Sequence, residues 1–369
     1  MNIVKATSSF EAWLGGQTQV VQADLDLKHR QMAQALFPFF RATFYRWHQR
    51  WLTLCKDENE ASKVLAVGDL HIENFGTWRD LEGRLIWGVN DFDEAWTLPY
   101  TVDLVRLAAS VMATMPSADG SAISAKLACA HILGGYGAGL KAGGRPFVLG
   151  ERHPTLSALA HGELRNPVSF WQRMHEAPEL DAKHVPVDVV RSLKGMFPEP
   201  NTNFRLLHHV RGLGSLGHQR FTATAEHAGG MMAREAKALT PSACAWAEDA
   251  GDKPPVHYQQ IVLTAVRCAD PRLKLTKTWL YRRLAPDCSR IELSNLSRAS
   301  DEARLLRAMG WETANIHLGS SPAKAILKDL HKRPANWLRL AARQMIKALA
   351  EDWREWKQAY EQTTAKATP

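Results

Sequence analysis

Apolar residues recur at helical spacing over residues 22–55. Met32, Leu36, Phe39, Phe40, Phe44 and Trp47 fall on one side of one or two helices and predict a buried stripe. The pattern then changes. Lys63–Val67 is a short apolar run ending at Gly68-Asp69, and Arg84–Val89 is a second one ending at Asn90-Asp91. Between them Arg79-Asp80-Leu81-Glu82-Gly83 has turn chemistry. This order predicts a strand, a loop, a hairpin and a second loop. Helices follow at 101–114 and 121–136, with the glycine-rich stretch Gly134–Gly144 a loop or a helix end. Residues 150–204 read as short helices broken by prolines, closing in a linker-like Phe197–Asn201.

From residue 205 the period shortens. Gly212–Gly217 precedes the alternating run Gln219–Glu226, Ala228-Gly229-Gly230 has the composition of a hairpin tip, and Met231–Arg234 is the returning strand. A helix at 255–268, strands near 277–284 and 290–294, and helices at 300–317 and 321–331 come next. The last helix, 335–361, lines up Met345, Leu349, Trp353, Trp356 and Tyr360 on one face, the pattern of a core stripe. The sequence has no internal repeat and no low-complexity segment.

Composition narrows the class. A chain of 369 residues, 45% hydrophobic and 23% charged, can build two or three lobes of an ordinary globular protein. No run approaches the roughly 20 apolar residues that span a bilayer, and the first residues lack the pattern of a secretion signal. The five cysteines are scattered without a CxxC pair, which argues against a zinc site or a disulfide framework. The expected setting is cytoplasmic, with no membrane partner. The net charge of +8 favours an anionic partner such as a nucleotide or a phosphorylated substrate. Nucleic acid is not the expected partner, because no helix-turn-helix or aromatic-basic RNA pattern is present.

The chemistry concentrates in two loops. Asp69 and Asn74 stand five apart after the first apolar strand, and Asp91 ends the second. Phosphoryl transfer needs a carboxylate near the attacking hydroxyl and oxygen ligands for magnesium. Asp69 would be the base, Asn74 and Asp91 the metal ligands, and Asp93 a further carboxylate on the metal side. Either loop alone is no more than an Asp-capped turn in an ordinary domain; together they favour function. His71 could be a catalytic or substrate contact, a metal ligand or a hydrogen-bonding brace of the loop. Asp103 and Arg106 interrupt an apolar helix, where charge is costly unless paired. Asp103 is expected to accept from the backbone of the catalytic loop.

Gly212-x-Gly214-Ser215-x-Gly217 matches both a dinucleotide fingerprint and a kinase glycine loop. A strand follows rather than a helix, which favours a loop folded over phosphates between two strands. A basic residue should then lie on the next strand but one. Arg234, 17 residues beyond Gly217, is the first candidate and Lys237 the competing one.

These segments resemble an uncharacterised bacterial domain-of-unknown-function family with the pattern GDxHxxNFG, then NDFDE, then DLxRLAxS. Here they read Gly68 to Gly76, Asn90 to Glu94 and Asp103 to Ser110. Its GxGSxGxxR segment appears as Gly212 to Arg220, and Phe39-Phe40-Arg41 resembles its FxRG element with Ala42 in place of glycine. That family is similar in turn to aminoglycoside phosphotransferases and other kinase-like enzymes, except that Val67 stands for the first His of their HGDLHxxN loop. The family often has Lys where Arg234 stands. The resemblance implies an α+β, two-lobed protein-kinase-like fold with a mainly helical large lobe. Kinases place the glycine loop before the catalytic loop, whereas Asp69 precedes Gly212 here, so the fold is expected to be circularly permuted. The expected parts are a helical catalytic lobe (1–204), a β-rich nucleotide lobe (205–295) and C-terminal helices (296–369) that complete the helical lobe. ATP and Mg2+ are the implied cofactors, and a hydroxyl-bearing molecule the implied acceptor. Three alternatives stay open: a binuclear metallophosphoesterase using Asp69 and His71, a nucleotide-binding protein without turnover, and a relative that transfers AMP.

Overall fold

The computed structural model describes residues 1–114, 124–162, 166–199, 201–208, 210, 212–288, 290 and 299–367. Its architecture is mixed α+β. The helical stripe at 22–55 resolves into three helices, Gln22–Gln34, Leu36–Ala42 and Phe44–Leu54, broken at Ala35 and Thr43. Met32, Phe39, Phe40, Phe44 and Trp47 are all buried in one large core, as their spacing predicts.

Strand β1 (Lys63–Ala66) pairs antiparallel with β4 (Trp96–Pro99), while β2 (Phe75–Arg79) and β3 (Leu85–Val89) form a hairpin extended by β5 (Phe147–Val148). The Asp69 loop joins β1 to β2, and the Asp91 loop joins β3 to β4. Both loops therefore leave the ends of buried strands. Tyr100–Thr114 follows β4 as a helix buried over most of its length.

A second sheet holds β6 (Arg205–His208), β7 (Arg220–His227), β8 (Gly230–Ala238), β9 (Lys274–Leu275) and β10 (Trp279–Leu284) in the order β6-β7-β8-β10-β9. All its pairings are antiparallel. The β7–β8 hairpin turns at Ala228 and Gly229, both at positive φ, the geometry that matches strand twist. Its outer face presents Phe221, Ala223, Ala225, Ala236, Trp279 and Tyr281 to Val189, Leu193 and Phe197. The helix Val187–Lys194 and the residues after it thus join this sheet, although they precede residue 205 in the chain. The inner face carries Arg220, Thr222, Glu235, Lys237 and Arg282, related by cross-strand register.

Gly134 and Gly135, expected to mark a loop or helix end, lie inside the continuous helix Ala125–Ala142. The reason is packing. A Cβ on Gly135 would come within 1.9 Å of the Arg307 carbonyl, and one on Gly310 within 2.1 Å of the Ile132 carbonyl. These glycines let Ala125–Ala142 and Ala299–His317 cross at backbone contact, which outweighs their weak helix propensity. The helix expected at 255–268 is shorter, Tyr258–Thr264, and the last helix is longer, Trp337–Ala367. The strand expected at 290–294 lies almost wholly outside the described residues; Arg290 itself bridges to Gly76. No helix among the described residues is long and apolar enough to cross a membrane. All five cysteines are free.

Candidate functional site

The Asp69 loop is shaped from beneath by Asp103. Val67 N and Gly68 N donate to its two carboxylate oxygens at 2.8 and 2.9 Å, and His317 Nε2 lies 2.9 Å from Oδ2. Asp103 and His317 are fully buried, so this is a dry, paired network. The acceptor role expected of Asp103 is what the structure contains. Gly68 holds φ at +80°, and a Cβ there would sit 2.3 Å from the Glu94 carbonyl. A glycine is therefore required where the loop turns.

Asp69 is gripped from one side. Arg106 sends Nε and Nη2 to the same oxygen, Oδ1, at 2.9 and 2.5 Å. The guanidinium is wholly buried, donates to the Phe40 carbonyl and lies 3.7 Å from the Phe40 ring centroid. Burial pushes the Asp69 carboxyl up to about 6, against the pull of Arg106 and Arg41. Asn74 donates Nδ2 to the Asp69 carbonyl at 2.6 Å, which leaves its Oδ1 as an acceptor for the cleft. His71 is buried, and its Nδ1 accepts from Glu73 N at 3.1 Å, capping the short turn Ile72–Asn74. Burial, reinforced by Arg41 and Arg106, holds its imidazole neutral well below the usual range. Of the roles left open for His71, the geometry displays the brace.

Across the cleft, Lys237 on β8 reaches Asp93 Oδ2 at 2.5 Å and Asp91 Oδ1 at 3.4 Å. Lys237 is 1% exposed. Burial would raise the Asp91 carboxyl, but Lys237, Arg282 and Arg220 outweigh it and hold the group low. Burial and the neighbouring Asp91 charge push Asp93 up. Asp93 Oδ1 is buried without a hydrogen-bond partner among the described residues. Arg234, three residues before Lys237, points the other way, because successive strand side chains alternate faces. It lies over the Phe197 ring and donates to the Met196 carbonyl on the outer face. The structure thus brings Lys237 to the two aspartates and keeps Arg234 away.

The glycine-rich segment joins β6 to β7 and drops onto the Asp69 loop. A Cβ on Gly214 would lie 3.6 Å from Asp69 Oδ2 and 3.3 Å from the Arg41 carbonyl. The segment is tethered from outside. Lys28 donates Nζ to the Gly214 carbonyl at 3.1 Å, Val21 N donates to the Gly217 carbonyl at 2.9 Å, and Val20 bridges to His218. Ser215 Oγ accepts from Arg220 Nη2 at 2.8 Å.

Two chambers meet here. The first is lined by Asp69, His71, Asp93, Glu94, Lys28, Gly214, Ser215 and His218, among others. The second is lined by arginines and by Trp78, Phe92 and Tyr258. Arg41, Asn74, Asp91 and Gly212 wall both. Gly217 does not line either chamber, and a Cβ there would instead collide with Leu25 at 2.5 Å. Among the described residues no three His, Cys, Asp or Glu side chains cluster as a metal site. Asn74, Asp91 and Asp93 offer an all-oxygen donor set with one orphaned carboxylate oxygen, which suits magnesium completed by water and phosphate rather than a protein-only cage.

Sequence reasoning missed Lys28, Glu94, Arg282 and Arg267. Lys28 had a signal: it stands between Leu25 and Met32 at helical spacing, a charge on a buried face. Glu94 caps the helix Ala243–Ala247 by accepting from Ser242 Oγ at 2.8 Å and Ala243 N at 2.7 Å, and burial raises its carboxyl to about 7.

Fold and site together define an α+β protein with a carboxylate-rich cleft closed by a glycine loop and a buried lysine. Residues 20–155 match the model of a family described as an uncharacterized protein conserved in bacteria, DUF2252. That span holds both aspartate loops but not the second sheet. No curated protein and no solved structure matches the chain.

Proposed function

We propose that the protein is a kinase-like, ATP-dependent phosphotransferase whose fold is a circularly permuted relative of the kinase architecture. One observation carries this reading. In the five-stranded sheet the glycine loop joins the first and second strands, and the third strand presents Lys237 to Asp91 and Asp93. Kinases place the same three parts in the same relation. The Asp-x4-Asn loop, the β2–β3 hairpin and Asp91 supply the other half of the cleft, earlier in the chain.

The roles follow from geometry. Asp69 Oδ2, left clear by the one-sided grip of Arg106, takes the proton from an acceptor hydroxyl. Asn74 Oδ1, Asp91 and Asp93 would hold magnesium, which when bound would supply positive charge to offset that of the phosphates. Lys237 supplies a fixed positive charge beside the aspartates, and the amides of Gly212 and Gly214 line the phosphate path, the Ser215 amide being taken up by the Gly212 carbonyl. A metallophosphoesterase fits less well, because His71 Nδ1 is engaged by Glu73 N.

The test is incubation with Mg-ATP and a panel of hydroxyl-bearing acceptors, with mass spectrometry of the nucleotide products. ADP should form and should vanish in Asp69→Ala and Asp91→Ala. AMP as the product would move the reaction to nucleotidyl transfer. Equal product from both variants would reject the assigned roles.

A further inference from the structure

The second chamber is walled by Arg41, Arg220, Arg267, Arg282, Arg283 and Arg290. Glu73, Asp91 and Asp270 are the acids among its lining residues. Behind the wall Glu235 pairs with Arg220 and Arg282, and Asp287 with Arg283, while Glu73 is shared by Arg41 and Arg290, so six guanidinium groups face five carboxylates and a small positive excess remains.

Internal pairing does not use up these donors. Each guanidinium has five N–H groups. Arg282 gives Nε to Glu235 at 2.7 Å, and Arg290 gives Nη1 to Glu73 at 2.5 Å. Arg220 gives one nitrogen to Glu235 and one to Ser215. Arg267 is stacked 4.6 Å from the Trp78 ring and 5.1 Å from the Phe92 ring, with its buried Nε and Nη1 unpartnered among the described residues. A cation held between rings with vacant buried donors is unfavourable until an anion completes it.

The sheet wall of the chamber is mainly charged, with Leu284 its apolar member. It presents Arg220 and Arg282, joined through the fully buried Glu235. Forked donors around a positive cavity match phosphate oxygens.

We propose that this chamber is a condensed-phosphate site, which recognises a chain of three or more linked phosphates by charge and guanidinium hydrogen bonds, with a nucleoside base adding little. The chain can come free or as the tail of a nucleotide. Its part in turnover rests on the phosphotransferase reading; its binding does not.

The experiment is calorimetric titration of the full chain with inorganic tripolyphosphate, ATP and adenosine, repeated with Arg267→Gln, Arg290→Gln and the double variant, each checked for folding by circular dichroism. Tripolyphosphate should bind within about tenfold of ATP, adenosine should not bind, and each substitution should weaken tripolyphosphate about tenfold. Raising salt should weaken it further. ATP binding without tripolyphosphate binding would overturn the proposal, and so would wild-type affinity in folded variants or no binding of either phosphate. Tripolyphosphate binding without ATP turnover would keep this site and remove the phosphotransferase reading. ADP formation without tripolyphosphate binding would do the reverse.

Discussion

Arg106 holds Asp69 through a single oxygen: both of its hydrogen bonds fall on Oδ1, while Oδ2 faces Gly214 across the cleft. The carboxylate is therefore anchored and oriented without being fully occupied, which is the condition for a base that is positioned yet available.

A pH profile follows from that arrangement. Asp69 ionises near 6 in the folded chain, so turnover should rise through about pH 6 and level off above it. Arg106→Gln removes a positive charge that favours the carboxylate, so the acidic limb should move to higher pH. A limb that stays fixed, or moves to lower pH, in a variant that melts as a folded protein would count against Asp69 as the base.

Lys237 and Arg234 separate function from packing. Lys237→Met leaves Asp93 buried without its cation, which should cost about 3–5 kcal/mol of stability and reduce turnover by more than about a hundredfold. Arg234→Met removes contacts on the outer face alone and should keep kcat within about threefold. Urea unfolding and steady-state kinetics on both variants check this. Equal loss of kcat in the two would undo the distinction.

Glu312 sits behind the hairpin as a buried carboxyl, accepting from Val89 N at 3.2 Å and Asn315 Nδ2 at 2.7 Å. Burial raises it from 4.5 to about 7. A raised carboxyl favours the folded state at low pH. That stability is complete below about pH 4.5 and is lost as pH climbs through about 7, to a total on the order of 3 kcal/mol. Glu312→Gln should lack this component, so its stability relative to the wild type should increase between pH 5 and 8. Denaturation curves at a series of pH values measure the difference, and parallel pH dependence in the two proteins would refute it.

Lys28 fastens the glycine loop to the helix Gln22–Gln34. Its ammonium is buried, which lowers its pKa despite the nearby charges of Glu11, Glu94 and Asp69. Lys28→Met should free the Gly214 carbonyl and speed amide exchange over residues 212–218 by about tenfold. Protection of β7 and β8 should be unchanged. If the loop exchanges at the wild-type rate, the tether is not what holds it.

Much of this was legible in the sequence because it rests on local rules. The switch from helical spacing to alternation located the second sheet, and the ends of two apolar runs located Asp69 and Asp91. The charge on the Asp103 helix implied a buried partner. Other features depend on contacts between distant segments. Gly134-Gly135 has the composition of a break, yet a second helix more than 160 residues later turns it into a packing surface. Arg234 and Lys237 could not be ranked without knowing which sheet face meets the aspartates. Arg267 carries no motif, and Arg282 stands in the family-like Tyr281–Leu284 strand without a readable role; their meaning comes from sharing a cavity with Asp91.

The pairing of Lys237 with Asp91 and Asp93 spans 146 and 144 residues of chain. During synthesis the carboxylates emerge long before the ammonium that neutralises them, and loop-closure entropy must be overcome before the two meet. The helices of the first half wait as well, because Ala125–Ala142 packs on Ala299–His317 and Asp103 pairs with His317. A nascent chain that stops short of residue 237 lacks the cation of the cleft, and the charge balance of the centre waits for the third strand of the second sheet.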